Sequence, residues 1–117
     1  MSDSVEAPAT ISWAQFEDVL LCAGTVLRVE PFPEARKPAW KLWVDFGPHG
    51  VKKTSAQITS LYAAEDLVGR QIVGVINFAP KQVGKFLSEF LLTGFQTDEG
   101  IVVTAIERPV PNGARLV

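Results

Sequence analysis

Between Asn77 and Ser88 the chain interleaves side chains that together can hold a polyanion. Lys81 and Lys85 supply cations, Asn77, Gln82 and Ser88 supply hydrogen-bonding groups, and Phe78 and Phe86 supply flat apolar faces. Cations hold phosphates, amides and hydroxyls read base edges, and aromatic rings stack on bases. Lys52, Lys53 and Ser55 follow the turn Gly47-Pro48-His49-Gly50 and can join this surface. The plainer assignment gives the lysines to solubility and the phenylalanines to a core. Composition alone leaves both open.

Covalent chemistry has no comparable constellation. His49 is the one histidine and sits in a turn, where it faces solvent; Cys22 is the one cysteine, inside the apolar run Val19-Leu20-Leu21-Cys22-Ala23. One of each builds no His/Cys zinc set, and a thiol in such a run acts as a small hydrophobe. No phosphate loop, dinucleotide-binding glycine motif or nucleophile elbow is present. The adjacent acids Glu65-Asp66 and Asp98-Glu99 diverge on a strand and do not stack on a helix, so they belong to solvated surface. The expectation is a binding protein, not an enzyme, needing neither metal nor organic cofactor.

The formal charge of −2 argues against a strong general nucleic-acid binder. Its distribution is uneven. Residues 36–85 carry eight basic and three acidic residues, a net +5, which leaves −7 on the remainder. Such asymmetry can make a local basic face; solvated hairpin ends would give the same count. A length of 117 residues with 47% hydrophobic and 21% charged residues fits one ordinary globular domain rather than a disordered chain. Residues 1–10 show no basic or apolar leader pattern, and no apolar run approaches a membrane span. The expected compartment is the cytoplasm, without membrane insertion.

These residues need a frame to position them. Residues 1–10 read as a disordered arm. Ser12, with Gln15 three residues on, has the spacing of a capping box and opens a helix from Trp13 to about Asp18. Trp13 and Phe16 then share a face, which must pack on the barrel or on another chain, because so short a helix is unstable alone. Leu20 to Val29 reads as a strand bent at Gly24, and Pro31 to Pro38 as a proline-rich loop. From Trp40 to Phe46 apolar and polar residues alternate, the period of a half-buried strand, with Val51 to Ile58 as its hairpin partner. Ala63 to Leu67 reads as a short helix stopped by Gly69, Gln71 to Asn77 as an apolar strand, and Phe78 to Lys85 as a loop. Ser88 to Phe95 and Ile101 to Ile106 read as strands around a turn at 96–100. The tail from Arg108 cannot be a central strand, because Pro109 and Pro111 lack ladder donors. The expected fold is mainly all-β: a five-stranded OB-fold barrel with a short N-terminal helix and another between strands three and four. A small β-sandwich satisfies nearly the same periodicity.

Several stretches in order carry a family resemblance. They are Ile11-Ser12-Trp13-Ala14-Gln15-Phe16, Ala23-Gly24-Thr25-Val26, Phe32-Pro33-Glu34-Ala35-Arg36-Lys37-Pro38, Ser55-Ala56-Gln57-Ile58-Thr59, Asn77-Phe78, and Arg108-Pro109-Val110-Pro111-Asn112-Gly113-Ala114-Arg115. Together, from Ile11 to Val117, they resemble the CsaA-type export-related chaperones, stand-alone tRNA-binding-domain proteins with an OB fold. More distantly the chain looks like the tRNA-binding domains of methionyl- and tyrosyl-tRNA synthetases. Those pair Asn-Leu-Lys-Pro with a following Gly-x-x-Ser; here Asn77, Pro80, Gly84 and Ser88 match, while Ala79 replaces the basic residue.

The resemblance implies a single domain over 11–117 with a C-terminal dimerisation segment, and a homodimer. Trp13, Phe16, Val19, Pro109, Val110 and Pro111 are its expected interface. It implies a chaperone for unfolded preprotein-like peptides, partnered with the export machinery; the alternative is a tRNA- or structured-RNA-binding module assisting synthetases or tRNA stability. The RNA candidates are Asn77, Lys81, Lys85, Ser88, Lys52, Lys53 and Ser55. Phe32, Trp40, Phe78 and Phe86 are the peptide-pocket candidates, although aromatics of this kind are more often core than pocket.

Overall fold

The computed structural model describes residues 7–117; residues 1–6 of the expected arm lie outside the described residues, and Ala7 to Thr10 carry no regular structure. In chain order the elements are α1 (Trp13–Glu17), β1 (Leu21–Pro31), β2 (Trp40–Asp45), β3 (Val51–Ala56), α2 (Ala64–Leu67), β4 (Gln71–Val75), β5 (Lys81–Val83), β6 (Phe86–Ser88), β7 (Leu91–Leu92), β8 (Gly94–Thr97) and β9 (Gly100–Val103). The capping box forms as the spacing dictates: Gln15 N–H donates to Ser12 Oγ at 3.1 Å, and Ser12 N–H to Gln15 Oε1 at 2.8 Å.

Five strands make one antiparallel sheet in the order β3-β2-β1-β4-β7. β1 is long enough to serve two neighbours. Its first half, Leu21 to Thr25, pairs with β4, and its second half, Thr25 to Pro31, pairs with β2. The sheet curls until β3 meets the segment after β6. There Glu89 N–H donates to Lys53 O at 2.7 Å, and the buried Thr54 hydroxyl donates to Phe90 O at 2.7 Å. The result is a nearly closed five-stranded barrel of the OB type.

The bend expected at Gly24 brings no shift of register there. Gly24 pairs regularly with Ile72, and the register shifts between Val26 and Arg28 instead. Gly24 serves a different need. A Cβ on it would lie 2.5 Å from Val44 Cγ1 and 2.7 Å from Phe46 Cδ1. Gly74 has the same role, since a Cβ there would meet Phe90 Cδ2 at 2.8 Å and Phe46 Cζ at 2.9 Å. The Phe46 and Phe90 rings, 4.9 Å apart and edge-on, fill the space these glycines leave. Leu42, Val44, Ile58, Leu67, Ile72 and Cys22 are among the core residues around them.

Three further expectations are corrected. Residues 78–85 are not all loop: β5 and β6 form a hairpin around Gly84, whose φ of +61° suits a glycine turn. The single strand expected from Ser88 to Phe95 is divided between β6, β7 and β8, because the chain leaves β3 at Phe90 and joins β4 at Leu91. The strand from Ile101 ends at Val103, where Thr104 N–H turns to Thr93 O.

The tail docks along the free edge of β1. Gly113 N–H donates to Ala23 O, Ala23 N–H to Ala114 O, and Leu116 N–H to Leu21 O, at 2.8–2.9 Å. Asn112 Oδ1 accepts from the Thr25 hydroxyl at 2.8 Å and from Gln71 Nε2 at 3.0 Å.

Candidate nucleic-acid and peptide interfaces

Two adjoining surfaces emerge, meeting at β3. The first is an open groove of about 1350 Å³ between the 35–39 loop, the outer edge of β3, and the β5–β6 hairpin. Arg36, Lys37 and Lys81 line it, with no carboxylate among its lining residues. Its apolar walls include Phe78 and Phe90. Ser55, Lys81, Ser88 and Phe78, all singled out from sequence, border this groove. Ser88 Oγ lies 2.7 Å from Thr54 Oγ1, which ties the hairpin to the barrel wall.

The second surface is the outer face of β1–β3, where cations stand over aromatic rings. The Arg28 guanidinium lies 3.8 Å from the Trp43 ring centroid. Phe86 packs 5.4 Å from Phe32 and 6.2 Å, edge-on, from Trp43. Lys41 Nζ sits 5.0 Å from the Phe32 ring and 5.4 Å from Phe86, and Lys53 Nζ sits 5.5 Å from Phe86. Ring faces carry negative quadrupole charge, so they hold cations in place without neutralising them. The positive charges stay available to an anion. Among the described residues, an exposed ion pair with Glu30, at 3.0 Å, competes for Arg28 and not for the two lysines.

Sequence reasoning passed over Arg28, Lys41 and Trp43. Lys41 and Trp43 carried a signal, since they fall on the solvent side of the β2 alternation. Arg28 carried none, because the β1 register shift sets its position.

The remaining candidates are dispersed. Lys52 and Lys53 are neighbours and therefore point to opposite faces of β3; only Lys53 reaches the aromatic cluster. Lys85 is exposed in the hairpin turn. Asn77 faces the helix junction: its Nδ2 donates to Asp18 O at 2.7 Å, and its Oδ1 accepts from Leu20 N–H at 2.9 Å. Phe32 is buried beneath Phe86, and Trp40 turns inward, donating from Nε1 to Tyr62 O at 2.9 Å. Of the four aromatic candidates, Phe78 alone is largely exposed, at 56%.

The two ends of the chain come together. Arg115 donates to Glu17 O, joining the tail to α1. No residue of α1 is buried, and Trp13 is 85% exposed; Phe16 and Val110 are half-buried, and Val19, Pro109 and Pro111 exposed. Cys22 is fully buried, and loss of water around its thiol raises its pKa from the ordinary 9.0, with the Arg115 charge opposing. Among the described residues no cluster of His, Cys, Asp and Glu could hold a metal, and no helix is long and apolar enough to cross a membrane.

Comparison with known proteins agrees with this geometry. Residues 21–115 match the family described as "Putative tRNA binding domain". The crystal structure of the chaperone CsaA from Bacillus anthracis superposes with a TM-score of 0.87 at 43% identity, covering 93% of this chain and 100% of that one. The CsaA chaperone protein of Picrophilus torridus gives 0.87 at 35% identity, covering 92% and 100%. A methionine–tRNA ligase of Leptospira biflexa is 30% identical over 112 residues, which is 96% of this chain but 16% of the ligase. The chain thus spans about a sixth of the length of such relatives.

Proposed function

The chain belongs to the tRNA-binding-domain family and, within it, to the CsaA proteins; on that premise we propose that it binds structured RNA, tRNA foremost, on the outer face of β1–β3. The observation that supports this reading is the set of three cations, Arg28, Lys41 and Lys53, standing over Trp43, Phe32 and Phe86. Lys81 at the groove and Lys85 at the hairpin tip extend the positive charge. The net charge of −2 keeps affinity modest, and contacts made by cations to phosphates make it salt-sensitive. Filter binding of bulk tRNA at several salt concentrations tests it. Each lost phosphate contact lowers the log–log salt slope by roughly 0.7–0.9. Lys41→Ala with Lys53→Ala makes the slope shallower; a double variant that matches wild type in affinity and slope removes the site from this face.

A second reading is favoured by the groove and by the likeness to the chaperone CsaA: binding of unfolded, preprotein-like peptides on the way to export. Exposed Phe78 beside Arg36, Lys37 and Lys81 supports it. Under either reading the protein acts by binding, without covalent catalysis, as a cytoplasmic homodimer. Its domain spans residues 11–117, and α1 with the tail forms the interface.

A further inference from the structure

We propose that the groove takes an extended peptide by strand addition to the free edge of β3 at Ser55 and Gln57. The inference rests on the peptide-binding reading and gives it a mode.

Strand geometry identifies the edge. Lys53 uses its N–H and C=O outside the sheet, toward Glu89, at 3.0 and 2.7 Å. Phe46 N–H, by contrast, donates to Gly50 O across the β2–β3 turn at 3.0 Å. The two observations agree on one register. The pairs Val44/Lys52, Leu42/Thr54 and Trp40/Ala56 exchange ladder bonds with β2, and the pairs Trp43/Lys53 and Lys41/Ser55 do not. Ser55 therefore turns its backbone N–H and C=O away from β2, as Lys53 does. Lys53 has Glu89 to satisfy it. Among the described residues Ser55 has no backbone partner there, and its carbonyl has only a long 3.4 Å approach from the Thr54 hydroxyl. Gln57 follows in the same sense beyond the strand end, and both residues line the groove.

An unpaired strand edge is a template for another strand. What distinguishes a peptide from an RNA strand here is the need for both a donor and an acceptor at strand spacing. An RNA strand offers phosphate acceptors and 2′-hydroxyl donors, but not the donor and acceptor of one amide-bearing residue repeated at the spacing of a β-strand. The walls then choose the sequence. Phe78, Val83, Phe90 and Leu91 offer apolar contact, while Arg36, Lys37 and Lys81 face no carboxylate in the groove. Successive side chains of an added strand point to opposite sides. An extended segment that alternates apolar and acidic residues matches this surface.

The test uses the full chain and a capped, dye-labelled peptide of alternating leucine and aspartate, read by fluorescence anisotropy. Two further peptides carry N-methyl groups on alternate amides, one on the even set and one on the odd set. Only one set can face β3. The expected result is a loss of tenfold or more for one methylated peptide and a change under threefold for the other. Ser55→Pro removes an N–H that β2 does not use and should weaken the unmethylated peptide by a similar factor. The methylated pair decides the matter even if that variant folds poorly. Equal binding of both methylated peptides overturns strand addition while leaving peptide binding standing. No binding of the unmethylated peptide overturns both. An unlabelled oligouridylate that displaces the peptide, and is weakened equally by Ser55→Pro, gives the groove to RNA and also overturns the proposal.

Discussion

Asn77 sits in a motif that points to nucleic acid, yet its amide is spent on the protein itself. Its Oδ1 holds Leu20 N–H at 2.9 Å, and its Nδ2 reaches Asp18 O at 2.7 Å. The side chain thereby pins the exit of β4 to the junction of α1 and β1. A typical hydrogen bond contributes a net ~0.5–1.5 kcal/mol. Both of these lie in exposed surroundings, so the lower half of that range applies, and Asn77→Ala should cost about 1–2 kcal/mol in all. For a domain of this size that is a fall in Tm of roughly 4–8 °C. Asn77→Asp separates the two bonds. It keeps an acceptor for Leu20 N–H but sets a carboxylate oxygen against the Asp18 carbonyl. At neutral pH it should lose at least as much as the alanine variant. Protonation restores a donor toward Asp18 O, so the native state raises the new carboxyl's pKa. The deficit relative to wild type should therefore shrink as pH falls through that raised pKa, and be smallest below about 4, the ordinary carboxyl range of the unfolded chain. Urea denaturation from neutral to acid pH measures this directly. Wild-type stability in both variants, together with weaker tRNA binding, would refute the structural role and return Asn77 to the ligand.

Gly74→Ala should destabilise by ~1–3 kcal/mol through overpacking, since its Cβ would stand 2.8 Å from Phe90 and 2.9 Å from Phe46; a melt unchanged from wild type would show that the rings yield freely. Burial raises the Cys22 pKa, so the native state prefers the thiol. The stability this contributes is fully present below pH 9.0 and is lost as pH rises through the higher folded value, and Cys22→Ala should flatten that alkaline limb in pH-resolved denaturation. Sedimentation at micromolar concentration should give twice the monomer mass, and Trp13→Asp should shift it toward monomer; a wild-type monomer would sink the homodimer.

How much of this was readable in the chain depended on range. The β2 alternation and the Ser12–Gln15 cap were legible because the deciding residues lie within a few positions of each other. The β5–β6 hairpin was not, because three residues a side are too few to show a period, and the Phe78-Ala79-Pro80 approach looks like loop. Gly24 marked a special position for the wrong reason: pairing is regular there, and what it accommodates is Val44 and Phe46, 20 and 22 positions away. The groove was half legible. Lys81, Ser88 and Ser55 were named, but the partition of Lys52 from Lys53 needed the strand's period applied across β3 as it was across β2. The cation–aromatic face depended on a register shift inside β1, which no local pattern announces.

The filled centre of the barrel has a consequence for how such a chain diverges. With Phe46 and Phe90 seated on Gly24 and Gly74, the contacts proposed for a ligand all lie on the skin: Arg28, Lys41 and Lys53 on one face, Lys81 and Phe78 beside another. Substitutions of exposed residues of this kind usually move stability by about 0.5 kcal/mol or less. Selection can therefore exchange one cargo for another there while the interior stays under its own, separate constraint. One frame can then recur in free-standing chaperones and in appendages of much longer ligases, with the differences confined to a few square nanometres of surface.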